Sequence, residues 1–346
     1  MSGTLAILAN DALLLLTAGI WGFAFVAQRV GMAHVGPFTY TAIRFALGAL
    51  AVLPLAVARR RAAAPRVGTE AGPASGPEEM RGAAQGAAPD ASSGAAPGNA
   101  PGATASAAAR PRIHPLPAGL IAGAVLTGGS LFQQVGLVTS TAGKGGFITG
   151  LYVVLVPLAG LLWGQRAGWP RWVGAVLAAG GLYLLSVTGA FTIQRGDLLV
   201  LIGSLFWAAH VLVVGWLSPR TDVIRLACVQ FAVCAVLSGL VTAFVERPTL
   251  EDFRAATVPI LYGGLLSVGV GLTLQVAAQR RAPPAHAALL LSLESVFAAL
   301  GGWLLLGERL GPRGLAGCAL MFAGMICAQL PLLLRLRGRA AAPPQH

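Results

Sequence analysis

The sequence predicts an all-α integral membrane protein, with ten transmembrane helices arranged as two inverted five-helix repeats. Composition, the number of long apolar segments and internal repetition carry this prediction. Of the 346 residues, 56% are hydrophobic and 10% are charged, and the mean hydropathy is +0.74. An ordinary soluble domain has about 25% charged residues. A chain this poor in polar residues cannot cover a water-exposed surface, so we expect it to fold in a lipid bilayer.

The net charge of +12 is spread between the apolar segments. A nucleic-acid reader gathers its arginines on one face or helix, so we predict no nucleic-acid partner. The four cysteines lie inside apolar segments without Cys-x-x-Cys spacing, and no histidine stands at ligand spacing. We therefore expect no metal site and no cofactor. The stretch 1–11 carries no Lys or Arg, which predicts that the first apolar segment is a retained span.

Ten apolar windows are bounded by charge, proline or glycine. Each is long enough to cross a hydrocarbon core of about 30 Å at a rise of about 1.5 Å per residue. The windows are 11–31, 38–58, 117–138, 145–163, 170–190, 196–216, 224–245, 256–278, 285–304 and 311–333.

The composition changes abruptly between spans 2 and 3. Within 62–109, 36 of 48 residues are Ala, Gly, Pro or Ser, and none is aromatic. Such a segment buries too little surface to offset its ordering entropy. We predict a disordered cytoplasmic loop over 59–116 and a basic cytoplasmic tail over 334–346.

Two alignments of the chain with itself superimpose similar residues at the same places in their spans. The first register, which places Asp11 on Asp197, also places Trp21 on Trp207 and Phe45 on Phe231. The second register places Gly174 on Gly317 and Gly181 on Gly324. The loop accounts for the difference between the two registers. We predict a first repeat made of spans 1–2 (1–58) and spans 3–5 (117–190), followed by a second repeat of spans 6–10 (191–333).

An odd number of spans per repeat predicts that the second copy enters the membrane from the opposite side. Inverted repeats are typical of secondary transporters, whose binding site lies between the repeats near the bilayer midplane. With both termini inside, sixteen basic residues flank the spans on the cytoplasmic side and seven on the other. This asymmetry predicts a multi-pass plasma membrane protein with both termini cytoplasmic.

Four motifs resemble the EamA type of the drug/metabolite transporter superfamily. They are the Trp-Gly segment Ile20–Val26, the Arg-Phe of Ile43–Phe45, the span 4 segment Leu151–Leu158 and the Gly-Glu-Arg segment Leu306–Leu310. Two positions depart from the family pattern. Ser295 stands where a proline usually follows the glutamate. At the end of span 4, the counterpart of the Gly-Glu-Arg motif has Gln165 in place of the acidic residue. The resemblance implies an alternating-access carrier of small polar metabolites, often an exporter.

Only two formally charged residues, Arg44 and Glu294, lie well inside spans. A charge at this depth costs at least ~2.5–3.5 kcal/mol, so it is normally paired or faces water. Their depths in the core differ by about 7 Å at about 1.5 Å per residue. We predict that they border one polar cavity and exchange partners with solute or proton, with Glu294 the proton-coupling candidate. The alternative is a permanent ion pair, or a charge satisfied by backbone, that determines helix register.

Amide and aromatic side chains at similar depths complete the predicted cavity, because a buried amide without partners is costly in hydrocarbon. Each amide has an alternative interpretation as an interhelical hydrogen bond, and His210 as a neutral, hydrogen-bonded histidine. Thr149, Trp207 and Gln230 lie at comparable depths. The predicted substrate-binding set is Trp21, Gln28, Tyr40, Arg44, Gln133, Gln134, Tyr152, His210, Gln275 and Glu294.

Charged residues at span ends invite other interpretations. Lys144, at the outer start of span 4, suits a snorkelling cation or an outer-gate contact. His286, at the inner start of span 9, is expected at the interface. Glu308, with Arg309 and Arg313, is interpreted as an interfacial charge cluster.

The leading functional prediction is a secondary active transporter of a small metabolite or drug-like compound, with export the expected direction and proton coupling as an option. The alternatives are an integral-membrane enzyme and a non-transporting membrane scaffold. One mid-span glutamate cannot supply acid and base together, so no catalytic residue is predicted. A scaffold would need a folded soluble module. The expected partners are a small-molecule solute and the lipid bilayer, with the chain a monomer or homodimer.

Overall fold

The structure is a computed structural model that describes residues 2–62, 113–159, 168–188 and 192–341. These residues are almost entirely helical, with two paired strands of two residues each, which confirms the predicted all-α class. Most of the predicted loop over 59–116 lies outside the described residues. The helix that contains span 10 continues through most of the predicted basic tail and ends at Ala341.

Fourteen α-helices follow one another along the described chain, with a π-helical segment at Tyr262–Leu272, a 3-10 turn at Ser218–Arg220 and the strands β1 (Val187–Thr188) and β2 (Thr192–Ile193). The helices are α1 Ser2–Gly31, α2 Pro37–Ala62, α3 Pro115–Leu137, α4 Ala142–Gly150, α5 Tyr152–Ala159, α6 Trp169–Ser186, α7 Arg195–Leu217, α8 Val223–Val245, α9 Leu250–Ala255, α10 Thr257–Leu261, α11 Thr273–Gln279, α12 Pro284–Leu291, α13 Glu294–Leu306 and α14 Pro312–Ala341.

Eight helical segments of the described chain are long and apolar enough to cross a membrane. They coincide with predicted spans 1 to 4 and 6 to 9: Ala9–Gly31, Pro37–Arg59, Pro115–Leu137, Ala142–Ala159, Arg195–Arg220, Val223–Val245, Thr257–Gln279 and Pro284–Leu306. Predicted spans 5 and 10 fall on two shorter apolar helices, Trp172–Leu185 and Pro312–Cys327. The chain is therefore a multi-pass membrane protein.

Side chains at the helix ends explain where several spans begin. Thr141 caps α4, its hydroxyl accepting a hydrogen bond from the backbone N–H of Lys144 at 3.1 Å. Asp222 caps α8 in the same way through the N–H of Arg225 at 2.9 Å. Each cap satisfies a donor that a helix start leaves free. Gly307 ends α13 in the left-handed region with a φ of 64°, which glycine adopts without strain.

Three of the spanning segments are not regular α-helices. The eighth predicted span, Thr257–Gln279, includes the π-helical stretch, which lies between α10 and α11. The fourth span is interrupted at Leu151, between α4 and α5, and the ninth at Ser292 and Leu293, between α12 and α13. No proline stands at the break in the ninth span. Instead, the Ser292 hydroxyl donates to the Leu289 carbonyl and the Ser295 hydroxyl to the Ser292 carbonyl, each at 2.7 Å. Such bonds compete with the regular helical ladder.

The helices pack through close approaches that only small residues allow. A Cβ atom at Gly181 of α6 would lie 2.6 Å from the carbonyl oxygen of Gly317 of α14. A Cβ at Gly324 would lie 2.6 Å from the carbonyl oxygen of Gly174. These two crossings bring the backbones of α6 and α14 together, as small residues do in membrane bundles.

Aromatic contacts lie at the centre of the bundle. Phe45 of α2 contacts Phe231 of α8 with 6.2 Å between ring centroids, and Trp21 of α1 contacts Trp207 of α7 with 6.1 Å. Around them lies the main core cluster of buried apolar side chains. The central helices are thereby held around one internal cavity.

Candidate functional site

A cavity lies between helices from both halves of the chain. It admits the centres of water molecules over about 40 Å³, which is room for about three waters. Its lining combines two charges, polar groups and aromatic rings. The lining residues are Trp21, Ala24, Phe25, Gln28, Arg44, Phe45, Gln133, Thr149, Tyr152, Trp207, Ser267, Val268, Leu272 and Glu294.

Arg44, on α2, has an exposed fraction of 3%. Its guanidinium carbon lies 5.1 Å from the ring centroid of Phe45 and 5.7 Å from that of Tyr40. Among the described residues it has no ion-pair partner, and its Nε atom makes no hydrogen bond. No carboxylate of the described chain lies within 4.0 Å of Arg44, so the structure does not support the alternative of a permanent ion pair. Aromatic faces stabilise a cation only partly, so the guanidinium has no compensating negative charge among the described residues.

Glu294 is the first residue of α13, immediately after the break in the ninth span. Its exposed fraction is 3%, and its Oε1 atom has no hydrogen-bond partner among the described residues. Tyr152 lines the same cavity, and its hydroxyl also has no hydrogen-bond partner among the described residues. The carboxyl group is thus available to a proton or a solute.

The two tryptophans of the cavity wall are held by their indole N–H groups. Trp21 donates to the backbone carbonyl of Ser267 at 3.1 Å, and Trp207 donates to Gln133 Oε1 at 2.7 Å. The Ser267 carbonyl belongs to the π-helical segment. Each indole plane is therefore oriented by a partner on another helix.

Gln133 uses its side chain to connect several helices. Besides accepting from Trp207, its Oε1 lies 3.5 Å from the Thr149 hydroxyl, and its Nε2 donates to Gln28 Oε1 at 3.1 Å. Both polar atoms of Gln133 thus have protein partners. Gln133 and Gln28 therefore form an interhelical hydrogen bond, which was the alternative interpretation of each buried amide.

The structure brings six of the ten predicted substrate-binding residues into this cavity and leaves four outside its lining. Tyr40 is fully buried and donates to the Pro259 carbonyl at 2.8 Å. His210 Nε2 bonds with Gln230 Oε1 at 3.0 Å, and its ring packs edge-on against Trp207. Gln134 and Gln275 are fully buried and have no side-chain partners in the described chain. The six residues in the cavity are Trp21, Gln28, Arg44, Gln133, Tyr152 and Glu294.

Sequence reasoning did not identify several lining residues. Ser267 lies in the π-helical segment, which no hydropathy pattern marks, and its neighbours in the lining are apolar. Phe45 was identified only as a repeat-related aromatic residue and as part of the Arg-Phe motif. The apolar lining residues not predicted are Ala24, Phe25, Val268 and Leu272. The cavity wall is thus more apolar than the polar residues alone suggest.

Asp197 is a second buried acid, which was not predicted because it lies at the end of a span. It is fully buried in the first turn of α7, where Lys144 Nζ lies 2.6 Å from its Oδ2 and the Ser140 hydroxyl donates to its Oδ1 at 2.6 Å. Glu308 caps α4, its carboxylate accepting from the N–H groups of Ala142 and Gly143 at 2.8 and 3.1 Å. Within the described residues, no group of three or more His, Cys, Asp or Glu could hold a metal ion.

A multi-pass helical bundle with unpaired charges in a central cavity is the architecture of a membrane transporter. The sequence pattern of the EamA-like transporter family matches residues 9–69 and 194–329, which together exceed half of the chain. The chain belongs to the EamA-like transporter family, within the drug/metabolite transporter superfamily, as its motifs indicated. The predicted family is confirmed, and it points to a transporter, which is not a class of enzyme.

Two curated relatives match the chain, and the name of one agrees with the family. An "Uncharacterized transporter" of Archaeoglobus fulgidus is 34% identical over 206 residues, which cover 58% of this chain and 65% of the relative. An uncharacterized protein of Pseudomonas aeruginosa is 32% identical over 203 residues, covering 58% of this chain and 68% of that protein. The alignment therefore spans just under two thirds of the first relative's length.

A solved crystal structure shares the fold. It covers 95% of this chain and 98% of its own, with a TM-score of 0.58 and 18% sequence identity. Likeness at this identity concerns the fold alone.

Proposed function

We propose that this protein is a secondary active transporter that moves a small metabolite or drug-like compound across the membrane by alternating access. The solute occupies the central cavity, and export is the favoured direction. The observation that carries the proposal is the pair of buried charges without ion-pair partners in the described chain, Arg44 and Glu294, in one cavity between helices of both halves. A purely structural role would leave these charges paired, because an unpaired charge at membrane depth is costly.

The proposal includes ten spans in two inverted repeats. Trp21 and Trp207 are equivalent in the first register of the internal alignment, as are Phe45 and Phe231, and both pairs are in contact. Equivalent residues of two repeats meet in this way when they lie beside a two-fold pseudo-symmetry axis. These contacts support an axis that passes through the cavity.

The packing of α6 on α14 supports the same axis. Gly174 contacts the region of Gly324, and Gly181 contacts Gly317. The second register exchanges these two crossings, since it places Gly174 on Gly317 and Gly181 on Gly324. The helix breaks support it too: Leu151 and Glu294, equivalent in the same register, both lie at a break between two half-helices.

The lining suggests which solutes fit. Arg44 offers a cation to an acidic group of the solute, while Trp21 and Trp207 offer faces to its apolar part. Six lining residues, Trp21, Gln28, Arg44, Gln133, Tyr152 and Glu294, form the proposed binding set, with Gln28 and Gln133 acting through their neighbours. Glu294 is the proposed proton carrier, because its carboxyl group is buried and has a free oxygen.

The basic residues between spans support a plasma membrane orientation with both termini cytoplasmic. In this orientation Lys144 lies at the outer end of the bundle and His286 at the inner end. We propose that the protein functions in the bilayer as a monomer or homodimer, without a nucleic-acid partner.

Purified protein in liposomes tests the proposal. Counterflow is measured for amino acids, nucleosides and cationic dyes, with and without a pH gradient. We expect saturable counterflow for at least one of these classes, and Arg44 favours the amino acids, which carry an acidic group. Absence of counterflow for all classes, with protein that is folded by circular dichroism, contradicts transport.

A further inference from the structure

Two contacts between a basic residue and an aspartate, at opposite ends of the bundle, lie outside the cavity lining. The Lys144 contact joins Lys144 of α4 to Asp197 of α7, with Nζ 2.6 Å from Oδ2. The His286 contact joins His286 of α12 to Asp11 of α1, with Nε2 2.7 Å from Oδ1. Each contact connects the first turn of a half-helix to a helix of the other predicted repeat.

The four residues occupy similar positions in the two repeats. Asp11 and Asp197 coincide in the first register of the internal alignment. Lys144 is the third residue of α4, and His286 is the third residue of α12, one residue before Ala287, on which the second register places Lys144. Because α4 and α12 begin the two interrupted spans, each contact is the counterpart of the other.

The contacts lie at opposite ends of α1. Asp11 is near the start of the membrane-spanning part of α1, Ala9–Gly31, whereas Arg29, near its end, donates to the carbonyl oxygens of Leu137 and Val138, a few residues before α4. The separation of Asp11 and Arg29 along the helix is roughly 27 Å at about 1.5 Å per residue. This length is close to the thickness of a hydrocarbon core.

Burial makes each contact costly to open. Asp197 is fully buried and the Lys144 side chain is 12% exposed, whereas Asp11 and His286 are 26% and 13% exposed. Separating Lys144 from Asp197 without water leaves two uncompensated charges, and separating His286 from Asp11 leaves the Asp11 carboxylate without its partner, so opening is favourable only when water enters. Around the Lys144 contact stand further fixed partners: Gln194 accepts from Lys144 Nζ at 3.0 Å, Ser140 bonds Asp197, and Glu308 caps the start of α4.

We propose that the Lys144 contact and the His286 contact are the gates of the two faces of the transporter, opening in alternation. In the proposed cycle both contacts are formed in the occluded state, and the cavity between them has room for about three waters. Loss of one contact opens the cavity to one face only. The inference rests on the proposed transport function.

Sided labelling of a cavity cysteine tests the gates without a solute. The four natural cysteines are replaced by alanine, and Ser267→Cys places one thiol in the cavity lining. A membrane-impermeant maleimide is then applied to right-side-out and inside-out vesicles, and the labelling rate is measured. The gate variants are Lys144→Met and Asp11→Asn.

We expect Lys144→Met to raise labelling about tenfold in right-side-out vesicles only, and Asp11→Asn to raise it about tenfold in inside-out vesicles only. Tenfold corresponds to a shift of about 1.4 kcal/mol between closed and open populations. Arg59→Met is the matched control, because Arg59 forms an exposed ion pair with Asp222 at 3.7 Å. It should leave both rates within about twofold. Lys144→Arg, which keeps the charge, should stay close to the parent rate.

Each other outcome has a meaning. The assignment of the two contacts as gates is wrong if both gate variants raise labelling from the same face. It is also wrong if neither variant changes the labelling rate while the protein remains folded. If Lys144→Met does not fold, Asp197→Asn takes its place with the same expectation. Sided labelling without counterflow of any solute rejects the proposed transport alone, whereas counterflow without sided labelling rejects the gates alone.

Discussion

Trp21 and Trp207 contact each other across the cavity, with ring centroids 6.1 Å apart and planes inclined by 48°. They come from α1 and α7, which lie far apart in the sequence but are equivalent in the internal alignment. Each indole donates to a different helix, to the Ser267 carbonyl and to Gln133 Oε1. Helices from both halves of the chain therefore form the same cavity wall.

Glu294→Gln tests proton coupling. The amide cannot bind and release a proton, so uptake or efflux driven by a pH gradient should fall about tenfold or more, towards the rate without a gradient. Counterflow, which needs no net proton movement, should persist. Transport is measured in liposomes at several pH values. The control is Glu251→Gln, at an exposed position on α9, which should retain the gradient response. An unchanged pH dependence in Glu294→Gln removes the proton-carrier role.

Gln133→Leu should destabilise the protein more than Gln275→Leu. The first substitution leaves the Trp207 N–H and the Gln28 carbonyl without their partners, which costs about 1–3 kcal/mol. The second removes a buried amide that has no partner in the described chain, so the expected change is neutral or favourable. Thermal unfolding in detergent measures both. Equal losses for the two variants would contradict the network around Gln133.

Gly181→Ala and Gly324→Ala should each destabilise the bundle by about 1–3 kcal/mol, because the added Cβ meets a carbonyl oxygen of the opposing helix at 2.6 Å. Gly19→Ala is the matched control: it lies within α1, and an added Cβ has nothing within 4 Å. Alanine is the better helix former by about 1 kcal/mol, so this variant should be neutral or stabilised. Melting temperatures in detergent distinguish the two cases. Equal stability of all three variants contradicts the α6–α14 crossing.

Hydropathy predicted the helices well, because the bilayer demands long apolar segments whatever the tertiary structure. Scarcity of charge led to Arg44 and Glu294, since an intramembrane charge is expensive wherever it occurs. Both line one cavity. Their assignment to solute and proton remains a prediction.

The depth of a residue along its span predicted the cavity lining less well than the presence of a charge did. Tyr40 lies one turn from Arg44, yet its hydroxyl bonds to the Pro259 carbonyl outside the cavity. Depth follows from residue count, whereas rotation about the helix axis depends on the packing of neighbouring helices. For the same reason His210 packs behind Trp207 instead of lining the cavity.

Two features could not be read from one sequence. The π-helical segment at Tyr262–Leu272 brings Ser267 to the cavity, and no residue pattern distinguishes it from a regular helix. Asp197 stands at a span end, where an acid normally faces water. Its burial depends on Lys144 and Ser140, which belong to a much earlier part of the chain.

The most direct test of the central claim is solute counterflow in Arg44→Lys, compared with the wild type and with Arg254→Lys at an exposed position on α9. The solute is one for which the wild type shows saturable counterflow. Lysine keeps the charge but loses the planar fork that binds an acidic group in two places. If the cavity is the solute site, the KM of Arg44→Lys rises about tenfold, a loss of about 1.4 kcal/mol, while Arg254→Lys stays within about twofold. A wild-type KM in folded Arg44→Lys contradicts the assignment of this cavity as the solute site.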